Sequence, residues 1–167
     1  KLLVIDANIG YGGPRGGHLT SVAAANMAIA EFAKATGAFE PVFSNDLDNL
    51  KYDKIRQFDA IYLNNTVGML FADPEVRDGL VRFLREGGGL VGDHGTSHAS
   101  MDWPEFGEIL GAVQGTHREA TEVATVKIDD PNSPLTAAFG GKEFLHQDEF
   151  YRFTNGIYLR DKLHVLL

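Results

Sequence analysis

The feature that most constrains this chain is a rhythm. Short, unbroken apolar runs alternate with longer stretches in which apolar residues recur every three or four positions. Leu2–Ile5, Pro41–Phe43, Asp59–Leu63 and Gly89–Gly92 are the runs. Their lack of polar alternation predicts strands covered on both faces. Between them, a helix over Thr20–Lys34 would carry Val22, Ala25, Ile29, Phe32 and Ala33 on one face and stop at Gly37. A second helix, Asp73–Glu86, opens on an acid followed by proline and ends at Gly87, with Val76, Leu80, Phe83 and Leu84 as its inward stripe. A shorter helix follows Asp102 as cap, turning Phe106, Ile109 and Leu110 inward. Glu122–Ile128 alternates like a strand with one wetter face, and Leu163–Leu167 reads as a closing strand. Strands that alternate with helices imply a parallel sheet with helices on both faces. The expected fold class is therefore α/β, a three-layer α/β/α sandwich.

Composition narrows the function classes. A length of 167 residues suits a single domain spanning 1–167. The formal net charge of −8 argues against nucleic acid as a partner. With no cysteine, disulfides, thiolate metal sites and cysteine nucleophiles are excluded. No apolar run has the length of a membrane span. The chain opens directly on a strand, which favours the cytoplasm, a removed signal peptide being the alternative. It stops inside the apolar run His164–Leu167, so further chain is expected beyond Leu167.

In open α/β sheets, ligands bind beyond the carboxyl ends of the strands. That rule selects His18 after the first strand, Asn64-Asn65-Thr66 after the third and Asp93-His94-Gly95 after the fourth. His117 and Asp148-Glu149 with Tyr151 follow later in the chain. The loop from Gly12 to His18 fails as a triphosphate-binding loop, because His18 and Leu19 stand where lysine and a hydroxyl residue are required. A serine-hydrolase elbow fails too: Asp93-His94 occupies the nucleophile position, and Ser97 and Ser100 lack the flanking glycines. The segment GGGLVGDHGTSH is best read as two glycine clusters. Gly87 and Gly88 end a helix, while Gly92 and Gly95 let a sharp turn present Asp93 and His94. His98, His146 and His164 are read as structural, and Trp103 as core.

Gly87–Gly95 resembles the GGGLVGxHG segment of the ThuA-like (trehalose utilisation) family. The early histidine His18, the stretch from Trp103 to Gly111 followed by His117, and Asp148-Glu149-Phe150-Tyr151 agree in order. The resemblance implies a flavodoxin-like, class I glutamine amidotransferase-like fold whose cysteine has been replaced. It also implies a role in sugar utilisation, on oxidised (keto) sugars or glycosides. The chain departs from the family at Ser133-Pro134, where the family usually has His-Pro. The resemblance also implies a further strand ending in Gly-His, which would lie beyond Leu167.

Two functional readings follow. In the first, the protein is an enzyme. A ring ketone acidifies the neighbouring C–H, so a base of near-neutral pKa can remove that proton and expel the glycosidic group, by elimination or hydrolysis. His94 and Glu149 are the expected catalytic residues. His94 or His117 serves as base, and Glu149 as acid or metal ligand. His18, His117 and Glu149 could hold a divalent cation (zinc, manganese or iron) to polarise the carbonyl. Asp93, Gly95, Asn65 and Tyr151 would contact substrate. In the second reading, an amidotransferase-like domain without its nucleophile binds a carbohydrate or a partner domain; a plain scaffold domain is the blandest version. A small carbohydrate is the expected partner, with a homo-oligomer left open.

Overall fold

The computed structural model describes residues 1–9, 19–153 and 156–167, and the chain separates into two compact units, Lys1–Phe106 and Gly107–Leu167. The first unit is built on parallel strands. β1 (Leu2–Ile5) is followed by the two-residue β2 (Asn8–Ile9), helix α1 (Leu19–Thr36), β3 (Pro41–Ser44), the single turn α2 (Tyr52–Ile55) and β4 (Ala60–Leu63). Then come β5 (Val67–Gly68), α3 (Pro74–Arg85) and β6 (Gly89–Gly92). The main sheet has the order β3-β1-β4-β6, all parallel. Counted along the chain this is 2-1-3-4, the flavodoxin-like winding, whose direction reverses between β1 and β4. Leu3, Val4, Ile5, Ile61 and Leu63 are wholly buried. β6 closes one edge of the sheet, and its Val91 is half exposed.

Local sequence explains the helix ends. The Asp73 carboxylate accepts the Glu75 N–H at 2.9 Å, and Pro74 takes the first helical position, where no N–H is needed. At the other end Gly87, with φ +98, is the left-handed cap. Its N–H donates to Leu84 and that of Gly88 to Phe83, the paired bonds of a Schellman ending. Val76, Leu80 and Phe83 are buried as expected. An aromatic cluster packs Phe71 against Trp103 and Phe106, with centroids 5.3 and 4.7 Å away. Trp103 is core.

Three expectations need correction. Phe32 is 62% exposed instead of facing inward. Alanines surround it in α1, so no continuous ridge draws that turn onto the sheet, and Val22 alone is buried on the helix among residues with described side chains. Asp102 does not cap the following helix α4 (Pro104–Leu110); its carboxylate accepts Arg77 Nη2 at 2.6 Å. Leu163–Leu167 forms no strand; the Leu166 carbonyl instead accepts the N–H groups of Asp129 and Asp130.

The second unit is antiparallel. β7 (Gln114–His117) pairs with β10 (Tyr151–Phe153), and β8 (Glu122–Val126) with β9 (Phe144–Asp148). The same two chain segments thus pair twice, first through His117↔Tyr151 and then through Glu122↔Asp148. Between these pairs, residues 118–121 face only Glu149 and Phe150. Such a mismatch interrupts the ladder and, like a bulge, re-aims side chains.

Candidate functional site

In the first unit, β6 delivers the chain into a turn that continues as a 3₁₀ segment from His94 to His98. His94 has φ +38, a conformation that non-glycine residues seldom adopt. Its side chain is exposed, while Gly95 and Thr96 beneath it are buried. The turn is held from below. The Asn65 N–H donates to the Asp93 carboxylate, and the Gly95 N–H donates to Asn65 Oδ1 at 2.9 Å. Asn65 Nδ2 then donates to Ser21 Oγ at 2.9 Å. Asn65 is itself left-handed, at φ +47, and 3% exposed. Thr96 Oγ1 donates to the Leu63 carbonyl at 2.9 Å. The Tyr62 hydroxyl lies near the Asp93 carboxylate. Burial, reinforced by that nearby charge, pushes the Tyr62 phenol up to about 12. A β-carbon on Gly95 would lie 2.6 Å from both Asn65 Oδ1 and Val67 Cγ1, so this glycine makes room for the asparagine.

These bonds decide what the turn can do. In an acyl-transfer elbow, the N–H after the nucleophile would stabilise an oxyanion. Here that N–H, from Gly95, is already taken by Asn65. The turn presents a histidine and offers no such hole. Next to it, at the reversal point of the sheet, Asn64 Nδ2 reaches Asn26 Oδ1 at 2.8 Å, and Asn26 Nδ2 reaches Asp6 Oδ2 at 2.7 Å.

In the second unit, the bulge brings His117 and Glu149 together. Glu149 Oε1 lies 3.1 Å from His117 Nδ1, and the Arg118 carbonyl lies 3.0 Å from the same nitrogen. With two acceptors facing it, Nδ1 is a ring nitrogen that carries a hydrogen. Tyr151 packs beside the imidazole at a centroid distance of 5.6 Å. His117 opens onto a hollow of about 660 Å³ lined also by Arg118, Glu119, Thr121, Glu122 and Val123. Arg152 Nη2 donates to Glu122 Oε1 at 2.6 Å and holds that carboxyl below the usual carboxylate range.

The predicted site residues therefore fall into two groups. Asn65, Asp93, His94 and Gly95 share the turn of the first unit, and His117, Glu149 and Tyr151 share the bulge of the second. His18 lies outside the described residues. The sequence reading missed Tyr62, Ser21, Glu122 and Arg152. Strand alternation could have marked Tyr62, which shares a face with Ala60 and not with buried Ile61 and Leu63. For a metal, His117 and Glu149 supply two donors, whereas catalytic zinc sites use three protein ligands. Among the described residues, no group of three or more histidine or carboxylate side chains is disposed to hold an ion. The described residues do not complete a metal site.

The strand order of the parallel sheet defines a protein of the flavodoxin-like α/β class. The chain belongs to the ThuA family, described as trehalose utilisation, whose pattern matches residues 11–167. Among solved structures it is similar to a ThuA-like protein from Bacteroides uniformis, with a TM-score of 0.81 and 21% identity. The match covers 99% of this chain and 65% of that one, and it is a likeness of fold. No curated protein matches the sequence significantly. Among the described residues no helix is long and apolar enough to cross a membrane.

Proposed function

We propose that this chain handles an oxidised (keto) sugar or glycoside and removes the proton beside its ketone, so that the glycosidic group is expelled. The observation that carries this reading is the Glu149 carboxylate on Nδ1 of His117, 3.1 Å away. A carboxylate in that position fixes the tautomer, makes Nε2 the basic nitrogen and steadies the imidazolium formed when it takes a proton. His117 Nε2 takes the hydrogen from the carbon next to the ketone, and the C–H electrons pass into an enolate. As the enolate collapses to the enone, the glycosidic C–O bond breaks. The imidazolium returns its proton to the departing oxygen. Water adding to the enone would make the net reaction a hydrolysis. Glu149 positions His117, and Tyr151 walls the ring. His94, raised on its strained turn, is proposed as a proton-transfer residue to be tested in its own right. Asp93, Gly95 and Asn65 hold that turn. With two metal donors among the described residues, no step is assigned to an ion.

The test is exchange of the hydrogen beside the ketone in deuterated water, using trehalose oxidised to a ketone at one ring carbon, alongside release of glucose. His117→Ala should lower both rates at least about a hundredfold, and His94→Ala is measured in parallel. Wild-type exchange no faster than buffer, or full activity in His117→Ala, would overturn the proposal. Dialysis against a chelator, then addition of zinc, manganese or iron, reads any metal requirement directly.

A further inference from the structure

Helix α1 departs from the pattern of a surface helix. A helix lying on a sheet normally turns charged residues to water, and one that is apolar all round is normally buried. Between Ser21 and Thr36 the polar residues of α1 are Asn26, Glu31 and Lys34; the rest are alanines and larger apolar side chains. Yet the outer side of the helix lies in water. Ala23, Ala24, Met27 and Ala30 are exposed, Met27 by 72%, and their spacing puts them on one face that ends in Glu31 and Lys34. Val22, Ala25, Ile29 and Ala33 make up the opposite, better covered side. Phe32 stands on the flank between the two.

The sheet extends this apolar surface. α1 crosses over from β1 to β3, and β3 is an edge strand, so the helix runs along the margin of the sheet. β3 touches α1, and among the described residues it pairs with β1 alone. Its Val42 and Phe43 are both more than one-third exposed. A standard interface buries about 800 Å² per partner, near 60% of it apolar, and so needs about 500 Å² of apolar surface. From their exposed fractions, Met27, Phe32, Val42, Phe43 and the outer alanines offer on the order of 500 Å², at the upper end for a patch on a monomer.

Charge selects the occupant. The chain carries −8, so two copies repel one another over most of their surfaces. On α1 the two charges cancel, and they lie three positions apart on the exposed face. If two such helices pack antiparallel about a two-fold axis between Phe32 and Ala33, Glu31 of each copy meets Lys34 of the other, and the helix dipoles oppose. We infer that α1 and the adjoining β3 edge form a self-association surface, covered by a second copy of this chain in an isologous, antiparallel contact.

Sedimentation velocity on the intact chain over a concentration series reads this directly, and a monomer–dimer equilibrium in the micromolar range is expected. Met27→Glu and Phe32→Glu should each raise the dissociation constant at least about tenfold. Both side chains are exposed, so circular dichroism and thermal midpoint should stay unchanged. The charged pair tests the geometry. Glu31→Lys and Lys34→Glu each set like charges against one another and should weaken association about fivefold or more, whereas the double variant re-forms the pair and should return to within about twofold of wild type. A chain that is monomeric at every concentration would overturn the inference and leave the face to a different partner. A dimer indifferent to Met27→Glu and Phe32→Glu would place the interface elsewhere and overturn it equally. Single charge reversals without effect, or a double variant as weak as the singles, would do the same.

Discussion

The turn after β6 and the bulge after β7 each hold a histidine, and they do so by opposite means. Below His94 the supports are buried and mostly uncharged: backbone N–H groups, the Asn65 amide and the Thr96 hydroxyl. Beside His117 the support is the Glu149 carboxylate, and the next contacts along the ribbon are the ion pairs of Arg118 and Arg152 with Glu122. A buried amide network fixes geometry through the cost of breaking it, because each freed group lacks water. A surface ion pair contributes little to stability and is weakened by salt, but it can move to admit a ligand. The first region should therefore be rigid and sensitive to shape, the second tolerant of shape and sensitive to charge.

The largest expected effect tests rigidity. Gly68 has φ +90, and a β-carbon there would overlap the Ile9 carbonyl oxygen where β2 and β5 meet. Gly68→Ala should cost more than about 4 kcal/mol by denaturant unfolding, because strain and overlap add. A loss below about 1 kcal/mol would mean that these two strands yield easily. The second test compares the supports directly. Asn65→Ala strands the buried Gly95 N–H and should cost about 1–3 kcal/mol, independent of salt. Glu149→Gln should cost less than about 1 kcal/mol, shrinking further at high salt. Equal costs with equal salt dependence would erase the contrast.

The smallest effect is a titration. Tyr62 is raised in the folded state, so its protonated form is favoured there. The associated stability is complete below the ordinary tyrosine range near pH 10 and is lost as pH rises through about 12. Ultraviolet titration of the tyrosines should show a late-ionising phenol that Tyr62→Phe removes. A curve unchanged by that substitution would place the Asp93 turn in a wetter setting than its bonds imply.

Sequence reading reached the parts of the molecule whose cause is local. A cap such as Asp73-Pro74, a stop such as Gly87 and a run such as Leu2–Ile5 carry their conformations in neighbouring residues, and the parallel pairing of the sheet followed from the alternation of strands with helices. It failed where a distant partner decides. Phe32 has the helical spacing of a buried residue, yet burial requires a facing surface that its own helix cannot specify. Leu163–Leu167 has strand composition, but a strand also needs a partner ladder. Within the site, Asp93-His94 could be found from glycines and a strand end. The contact of His117 with Glu149 crosses thirty-two positions and depends on two antiparallel registers and the mismatch between them. Tyr62 and Glu122 were missed for the same reason, since their roles lie in what they touch.

The mismatch of four residues against two carries a consequence for how such a protein can diversify. Register on either side of it is set by separate ladders, one anchored by His117↔Tyr151 and the other by Glu122↔Asp148. Gaining or losing a residue between positions 118 and 121 would change the depth and chemistry of the hollow without flipping a side chain in either ladder. The bulge is thus a length-tolerant insert in an otherwise register-locked ribbon. Change in what the hollow admits can accumulate there while the His117–Glu149 pair stays in place.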